Sequence, residues 1–140
     1  MTMYKKYKVG LFPMCADILH AGHILALEEA AEKCEHLIVG LNTHPDGKNP
    51  VQSVFERFTQ LNAVECVDEI IPYQGRADLE LLASMLKYDV RFLGEDHRDK
   101  DWDGKLQEEK RGIQPCFVSR MHSLSSTDLK LRIIAQCKEE

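Results

Sequence analysis

No stretch of this chain is long and apolar enough to read as a membrane span, and the lysine-bearing start, Met1 to Lys8, is followed by no signal-type hydrophobic run. The expectation is a protein without leader or anchor, working in the cytoplasm. The five cysteines, at 15, 34, 66, 116 and 137, form no C-x-x-C pair and no framework spacing. An odd, unpatterned set excludes a disulfide scaffold and suits a reducing compartment. Positive charge is also scarce. A formal net charge of −5 argues against a general nucleic-acid binder or a partner of anionic membranes. Any anion site must therefore be local, built from a few placed cations and backbone amides. Repeats, low-complexity tracts and linkers are missing as well, so residues 1–140 are read as one domain.

What is present is an alternation of short apolar, β-prone runs with longer helical patterns. Strands are expected at Lys8–Pro13, His36–Asn42, Glu69–Tyr73, Val90–Gly94 and Pro115–Ser119. Helices are expected at His23–Lys33, Val54–Ala63, Asp78–Leu86 and Ser126–Lys138, with apolar residues at helical spacing in the first (Ile24, Leu27, Ala31) and third (Leu79, Leu82, Leu86). Ser53 with Glu56, and Ser125 with Asp128, have the spacing of helix N-caps. Strand–helix alternation implies a parallel sheet flanked by helices, an α/β fold whose ligands sit beyond the C-terminal strand ends. His20, His23, Lys48, Gly94 and Arg120 all follow strand candidates and are expected along that edge. Asn42–Gln52, with Pro45, Gly47 and Pro50, reads as a loop over the site. The charged segment Glu95–Gly112 reads as a solvated loop plus a short surface helix.

The most informative stretch is His20-Ala21-Gly22-His23, between the apolar run Val9–Phe12 and a helical segment. Backbone N–H groups at a helix start attract anions, and the macrodipole adds about half a positive charge there. Two imidazoles three residues apart at such a point can reach one polyphosphate, which proposes phosphoryl or nucleotidyl chemistry. The same pair also suits a zinc site with Asp17 and Cys15, but no second ligand cluster stands at usual spacing, and no resident metal site is expected.

Four ordered motifs then agree with one family. Asp17-Ile18-Leu19-His20-Ala21-Gly22-His23 resembles the H-x-G-H signature of the small nucleotidyltransferases, whose cytidylyltransferase branch includes glycerol-3-phosphate cytidylyltransferase. Lys48 follows the second strand and Glu56-Arg57 opens the next helix. Val67–Pro72 is similar to that branch's V-D-E-V/I-I-P run, and Arg120–Thr127 to its R-T-x-G-[IV]-S-T-T signature. The resemblance spans nearly the whole chain. It implies a Rossmann-like, doubly wound, five-stranded parallel sheet in a single domain. The implied enzyme transfers CMP from CTP, accompanied by Mg²⁺, to a small phosphorylated acceptor such as glycerol 3-phosphate, releasing pyrophosphate. A homodimer is implied too, and the mixed charges of Glu95–Gly104 suit a two-fold contact.

The residues fit that chemistry in their own right, because nucleotidyl transfer asks mainly for positioning and charge stabilisation. His20, His23, Lys48 and Arg120 are the expected catalytic set. Met14, Cys15, Ala16, Asp17, Gly94, Asp96, Ser125 and Ser126 would join the histidines and Arg120 around the nucleotide. Lys48, Arg57 and Arg76 would contact the acceptor, and Asp17 would either approach the metal ion or order the turn. Ser125 and Ser126 would offer donors to the outer phosphates. Four departures bear on substrate: Met14-Cys15-Ala16-Asp17 stands where the family has G-T-F-D or G-C-F-D, Met121-His122-Ser123 interrupts the last signature, Glu65 replaces a basic residue, and Glu95–Lys100 is more charged than the family's short G-D-D-type turn. D-I-L-H-A-G-H also looks like the heptose-phosphate adenylyltransferase branch, and Glu65 fits it. Val67–Pro72, Arg120 and the short chain favour cytidine over adenine. A nucleotide-binding module without catalysis is the non-enzymatic alternative, against which the retained His20, His23, Lys48 and Arg120 speak.

Overall fold

The computed structural model describes residues 4–119 and 125–139. Five strands, β1 (Tyr7–Met14), β2 (Cys34–Asn42), β3 (Glu69–Tyr73), β4 (Val90–Gly94) and β5 (Gln114–Val118), form one parallel sheet in the order β3-β2-β1-β4-β5. Between them run α1 (Ala21–Ala31), α2 (Val54–Asn62), α3 (Gly75–Met85) and α4 (Lys105–Lys110), and α5 (Ser126–Lys138) ends the described chain. The chain winds outward from β1 to β3, then returns to place β4 on the other side of β1. The switch point between β1 and β4 is where ligands bind in such sheets. No helix among the described residues is long and apolar enough to cross a membrane.

Strand alternation divides the core. Phe12 in β1, Leu37, Val39 and Leu41 in β2, Val90 and Phe92 in β4 and Val118 in β5 pack with Leu27 and Ala30 of α1 and Leu61 of α2. Leu11, Ile38, Tyr88 and Ile113 form the second cluster, with Leu86 at the end of α3. Each such aliphatic side chain contributes about 1.5–3 kcal/mol on burial. Gly10 is required by this packing, because a Cβ there would stand 2.3 Å from the Phe92 ring.

Three departures from the sequence expectation have a local physical cause. α1 begins at Ala21, two residues before the expected His23, because the His20 side chain caps the helix by accepting from Gly22 N–H. α3 begins at Gly75 rather than Asp78, since the Asp78 carboxylate accepts from the Gln74 N–H and holds an earlier turn. The segment after β4 is not merely solvated. Glu108 of α4 is buried at 2% exposure, accepting from Tyr88 Oη at 2.5 Å, Arg91 Nη1 at 3.0 Å and Trp102 Nε1 at 3.0 Å. Burial and this carboxylate raise the Tyr88 pKa well above its usual range, so its hydroxyl remains a donor.

Arg57 corrects a second expectation. Expected to contact substrate, it is instead 2% exposed and donates to the carbonyls of Cys15 (2.9 Å), Asn42 (2.7 Å), Thr43 (3.0 Å) and Gln52 (3.2 Å). The guanidinium clamps the ends of β1 and β2 to the start of α2. Arg57→Met orphans those carbonyls and should lower stability by about 2–4 kcal/mol in a urea titration. A fully stable variant with impaired turnover would return Arg57 to the substrate.

Candidate active site

The cleft opens over the C-terminal ends of the strands, with a volume of about 760 Å³. Met14, Cys15, Ala16, Asp17, His20, His23, Lys48, Gly94, Ser125 and Ser126 all line it. That volume lies within the range of small-ligand sites. Arg76 and Asp96 are not among the lining residues. Arg76 is exposed on α3, where its guanidinium meets Glu80 at 2.8 Å and Asp103 at 3.5 Å. Its charge is already committed to the rim, which leaves the acceptor role expected of it without support. Asp96 is exposed in the 3₁₀ turn Glu95–His97. Arg120 lies outside the described residues, as do Met121, His122 and Ser123.

The two histidines meet at the start of α1, ring centroids 4.2 Å apart and planes inclined at 52°. His20 Nδ1 accepts from the Gly22 N–H at 3.0 Å, and His23 Nδ1 accepts from the His20 N–H at 3.2 Å. An Nδ1 that accepts carries no proton, so each neutral ring holds its proton on Nε2. The backbone thereby fixes tautomer and ring orientation together, and the two rings supply Nε2–H donors at a helix N-terminus.

Asp17 holds the turn before them. Its carboxylate accepts from the Val51 N–H at 3.0 Å and the Gln52 N–H at 2.9 Å, and pairs with Lys130 Nζ at 3.1 Å. Its own carbonyl accepts from Ser126 Oγ at 2.8 Å, and Gln52 Oε1 accepts from the Ile18 N–H at 2.7 Å. Burial alone would raise the Asp17 pKa, but these donors outweigh it and hold the carboxyl below its ordinary value. The flanking residues Ala16 and Ile18 both lie in the left-handed region, at φ 56° and 51°. For a β-branched residue this conformation costs on the order of 1–3 kcal/mol and persists only where surrounding bonds enforce it.

Of the two roles expected for Asp17, the geometry therefore supports ordering of the turn. Each carboxylate oxygen accepts from at least one protein donor. Among the described residues no group of three or more His, Cys, Asp or Glu is placed to hold a metal ion.

α5 reaches the cleft through its N-terminus. Ser125 caps the helix by accepting from the Asp128 N–H at 3.0 Å. Ser126 gives its hydroxyl proton to Asp17, so it faces a ligand with lone pairs and backbone N–H rather than as the expected hydroxyl donor. Lys48 is exposed in the loop after β2, whose backbone turns where the Lys48 N–H meets the Pro45 carbonyl at 3.4 Å.

Sequence reasoning missed several lining residues: Tyr73, Arg91, Trp102 and Lys130. Two carried a readable signal. Arg91 is a charge inside the apolar strand Val90–Gly94, and Trp102 is the one tryptophan, set among aspartates. Lys130 carried a weaker one, four residues after Ser126 on the same helix.

Comparison with known proteins agrees with this geometry. The profile of the cytidylyltransferase-like family matches residues 11–132. The bifunctional protein HldE of Granulibacter bethesdensis is 33% identical over 111 residues, covering 71% of this chain and 23% of that protein. HldE of Campylobacter jejuni subsp. doylei is 40% identical over 102 residues, covering 69% and 22%. The chain thus spans about a quarter of the length of the curated relatives it matches. Among solved structures, the lipopolysaccharide core biosynthesis protein of Thermoplasma volcanium superposes with a TM-score of 0.63 at 24% identity, covering 82% of this chain and 97% of that one. At that identity the likeness speaks for the fold. With the profile spanning strand β1 to helix α5 and the paired histidines at the switch point, the chain belongs to the cytidylyltransferase-like family of nucleotidyltransferases.

Proposed function

We propose that this protein transfers CMP from CTP to a small phosphorylated acceptor and releases pyrophosphate. The observation that carries the reading is the pair of Nδ1-accepting histidines at the start of α1, inside the cleft at the sheet's switch point. An acceptor phosphate oxygen attacks the α-phosphorus, forming one P–O bond. The bond from α-phosphorus to the bridging oxygen breaks, and pyrophosphate leaves with the electron pair. His20 and His23 donate Nε2–H bonds to oxygens whose charge grows in the transition state, where preorganised donors count most. The N-terminus of α5, with Ser125 at its cap, receives the outer phosphates. Mg²⁺ bound to the triphosphate would neutralise part of its charge. Lys48 closes on its loop as a point cation, and Arg120 adds a planar fork.

The base is tested by a thermal-shift panel of CTP, ATP, GTP and UTP with Mg²⁺. A nucleotide at about 100 Kd stabilises the fold by roughly 2.7 kcal/mol. The largest shift is expected with CTP; a larger shift with ATP would turn the reading to adenylyl transfer. The homodimer implied by the resemblance is read by light scattering, where a monomer mass at every salt concentration would overturn it. Within the segment first considered for its contact, Arg98 pairs with Glu95, and Asp101 of that segment pairs with Lys105 of α4, so its charges are partly satisfied inside one chain.

His20→Ala and His23→Ala should each keep the fold while lowering turnover by roughly 100- to 1,000-fold, equivalent to about 2.7–4 kcal/mol of lost transition-state stabilisation. Pyrophosphate release at saturating nucleotide measures this, and near-normal rates in both variants would reduce the histidines to helix caps. Lys48→Ala is expected to behave differently. A cation that reaches the phosphates only when its loop closes should lower kcat strongly and change CTP affinity little. Collapsed binding with intact kcat would make Lys48 a ground-state anchor instead.

A further inference from the structure

Beyond the phosphate end, the cleft has a second wall. Tyr73, Leu79, Arg91, Leu93, Trp102 and Asp103 bound it on the face of the sheet that α3 and α4 cover. Arg91 alternates with Val90 and Phe92, which pack toward α1, so its side chain stands on this opposite face. The residue is 5% exposed, and its charge is matched by Glu108, 3.0 Å from Nη1. Nη1 also donates to the Asp103 carbonyl at 3.1 Å. The other edge of the guanidinium is unspent. Nε is buried without an acceptor, and Nη2 makes no hydrogen bond to a described residue.

A buried donor without a partner costs free energy, so an orphan on a cleft wall calls for a ligand atom. The Nε–Nη2 edge is a planar fork that takes two oxygens side by side. Two chemistries offer such a pair: a second anionic group, or vicinal hydroxyls. The surroundings decide between them. Glu108 already neutralises the guanidinium, and Asp46, Asp101 and Asp103 also line the cleft. A second anion would meet those carboxylates. Hydroxyls can accept from the fork while donating their protons to a carboxylate, and the rings of Tyr73 and Trp102 suit the C–H face of a polyol carbon chain.

We propose that Arg91 is a specificity-determining residue for the acceptor, its Nε–Nη2 edge gripping a vicinal diol at the end remote from the reacting phosphate. Glu108 is a positioning residue: it fixes the guanidinium and, through Trp102 Nε1, the neighbouring indole. The proposal rests on the nucleotidyl-transfer reading.

The test pairs two probe acceptors that share a phosphate and a three-carbon chain: glycerol 3-phosphate, which carries the diol, and 3-hydroxypropyl phosphate, which does not. Pyrophosphate release is followed for the wild type and Arg91→Lys with Mg-CTP, and again with Mg-ATP. Arg91→Lys keeps a cation for Glu108 but withdraws the fork. The wild type should favour the diol by roughly 10- to 100-fold in kcat/KM, mostly through KM, the worth of charged hydrogen bonds of this kind. The variant should lose that preference while its nucleotide-induced thermal shift is unchanged, which a merely structural defect would not produce. If the variant fails to fold, the wild-type probe pair decides alone. A wild type that binds nucleotide yet treats the probes alike, turns over neither, or prefers phosphoglycolate to both overturns the diol assignment only, as does a folded variant that retains the preference. A wild type that no nucleotide stabilises overturns the transferase reading, and this proposal with it.

Discussion

One carboxylate organises the site. Asp17 stands on the turn between β1 and α1, and from there reaches the two segments that close the cleft from either side. Val51 and Gln52 attach the loop that carries Lys48, and Lys130 attaches α5, whose Ser126 hydroxyl donates to the Asp17 main-chain carbonyl as well. Without that anion, the loop and α5 would each have to be held separately, and two residues in left-handed conformations would lose part of what enforces them. Arg57 completes the frame from below with four carbonyl contacts. An anion bonded to backbone N–H groups and a cation bonded to backbone carbonyls thus fix opposite poles of the same turns. The backbone groups that shape the cleft are in this way bonded behind it.

The histidine pair applies the same economy at atomic scale. Each Nδ1 is bound to main chain, so the only ring proton of the neutral imidazole is presented at Nε2. The cap and the outward Nε2–H donor are therefore one device: removing the cap would release the tautomer as well as fray the helix. This also accounts for the order of residues in the tetrad. His20 has to sit at the cap and His23 one turn later for each to meet an N–H, which the three-residue spacing permits and a spacing of two does not.

Much of this was legible in the sequence, for identifiable reasons. Strands such as Glu69–Tyr73 and Val90–Gly94 are short apolar runs with clear breaks, and their bounds agree with the structure. The caps at Ser53 and Ser125 were readable because capping is local chemistry over three residues. The place of His20, His23, Lys48 and Gly94 on the cleft was readable because each follows a strand, and the topology brings strand ends together. Arg57 was misjudged for the complementary reason. Its partners are carbonyls at 15, 42, 43 and 52, and nothing in a one-dimensional pattern marks a carbonyl as an acceptor awaiting a guanidinium.

The charged segment after β4 shows where pattern reading fails in principle. Asp, Lys and Glu in succession describe a solvated surface, and most of that segment is one. Glu108 differs from its neighbours only in what α4 docks against: Tyr88 and Arg91, both distant in sequence, and the nearby Trp102. A carboxylate can be buried there because a cation and two neutral donors meet it together, and each of those four residues would be costly to bury alone. The consequence reaches the cleft. By drawing Arg91 and Trp102 into one network, a residue that lines no ligand surface sets the shape and polarity of the wall opposite the histidines. The histidine end of the cleft rests on local motifs that sequence reveals; the wall opposite rests on long-range pairing that only the fold assembles.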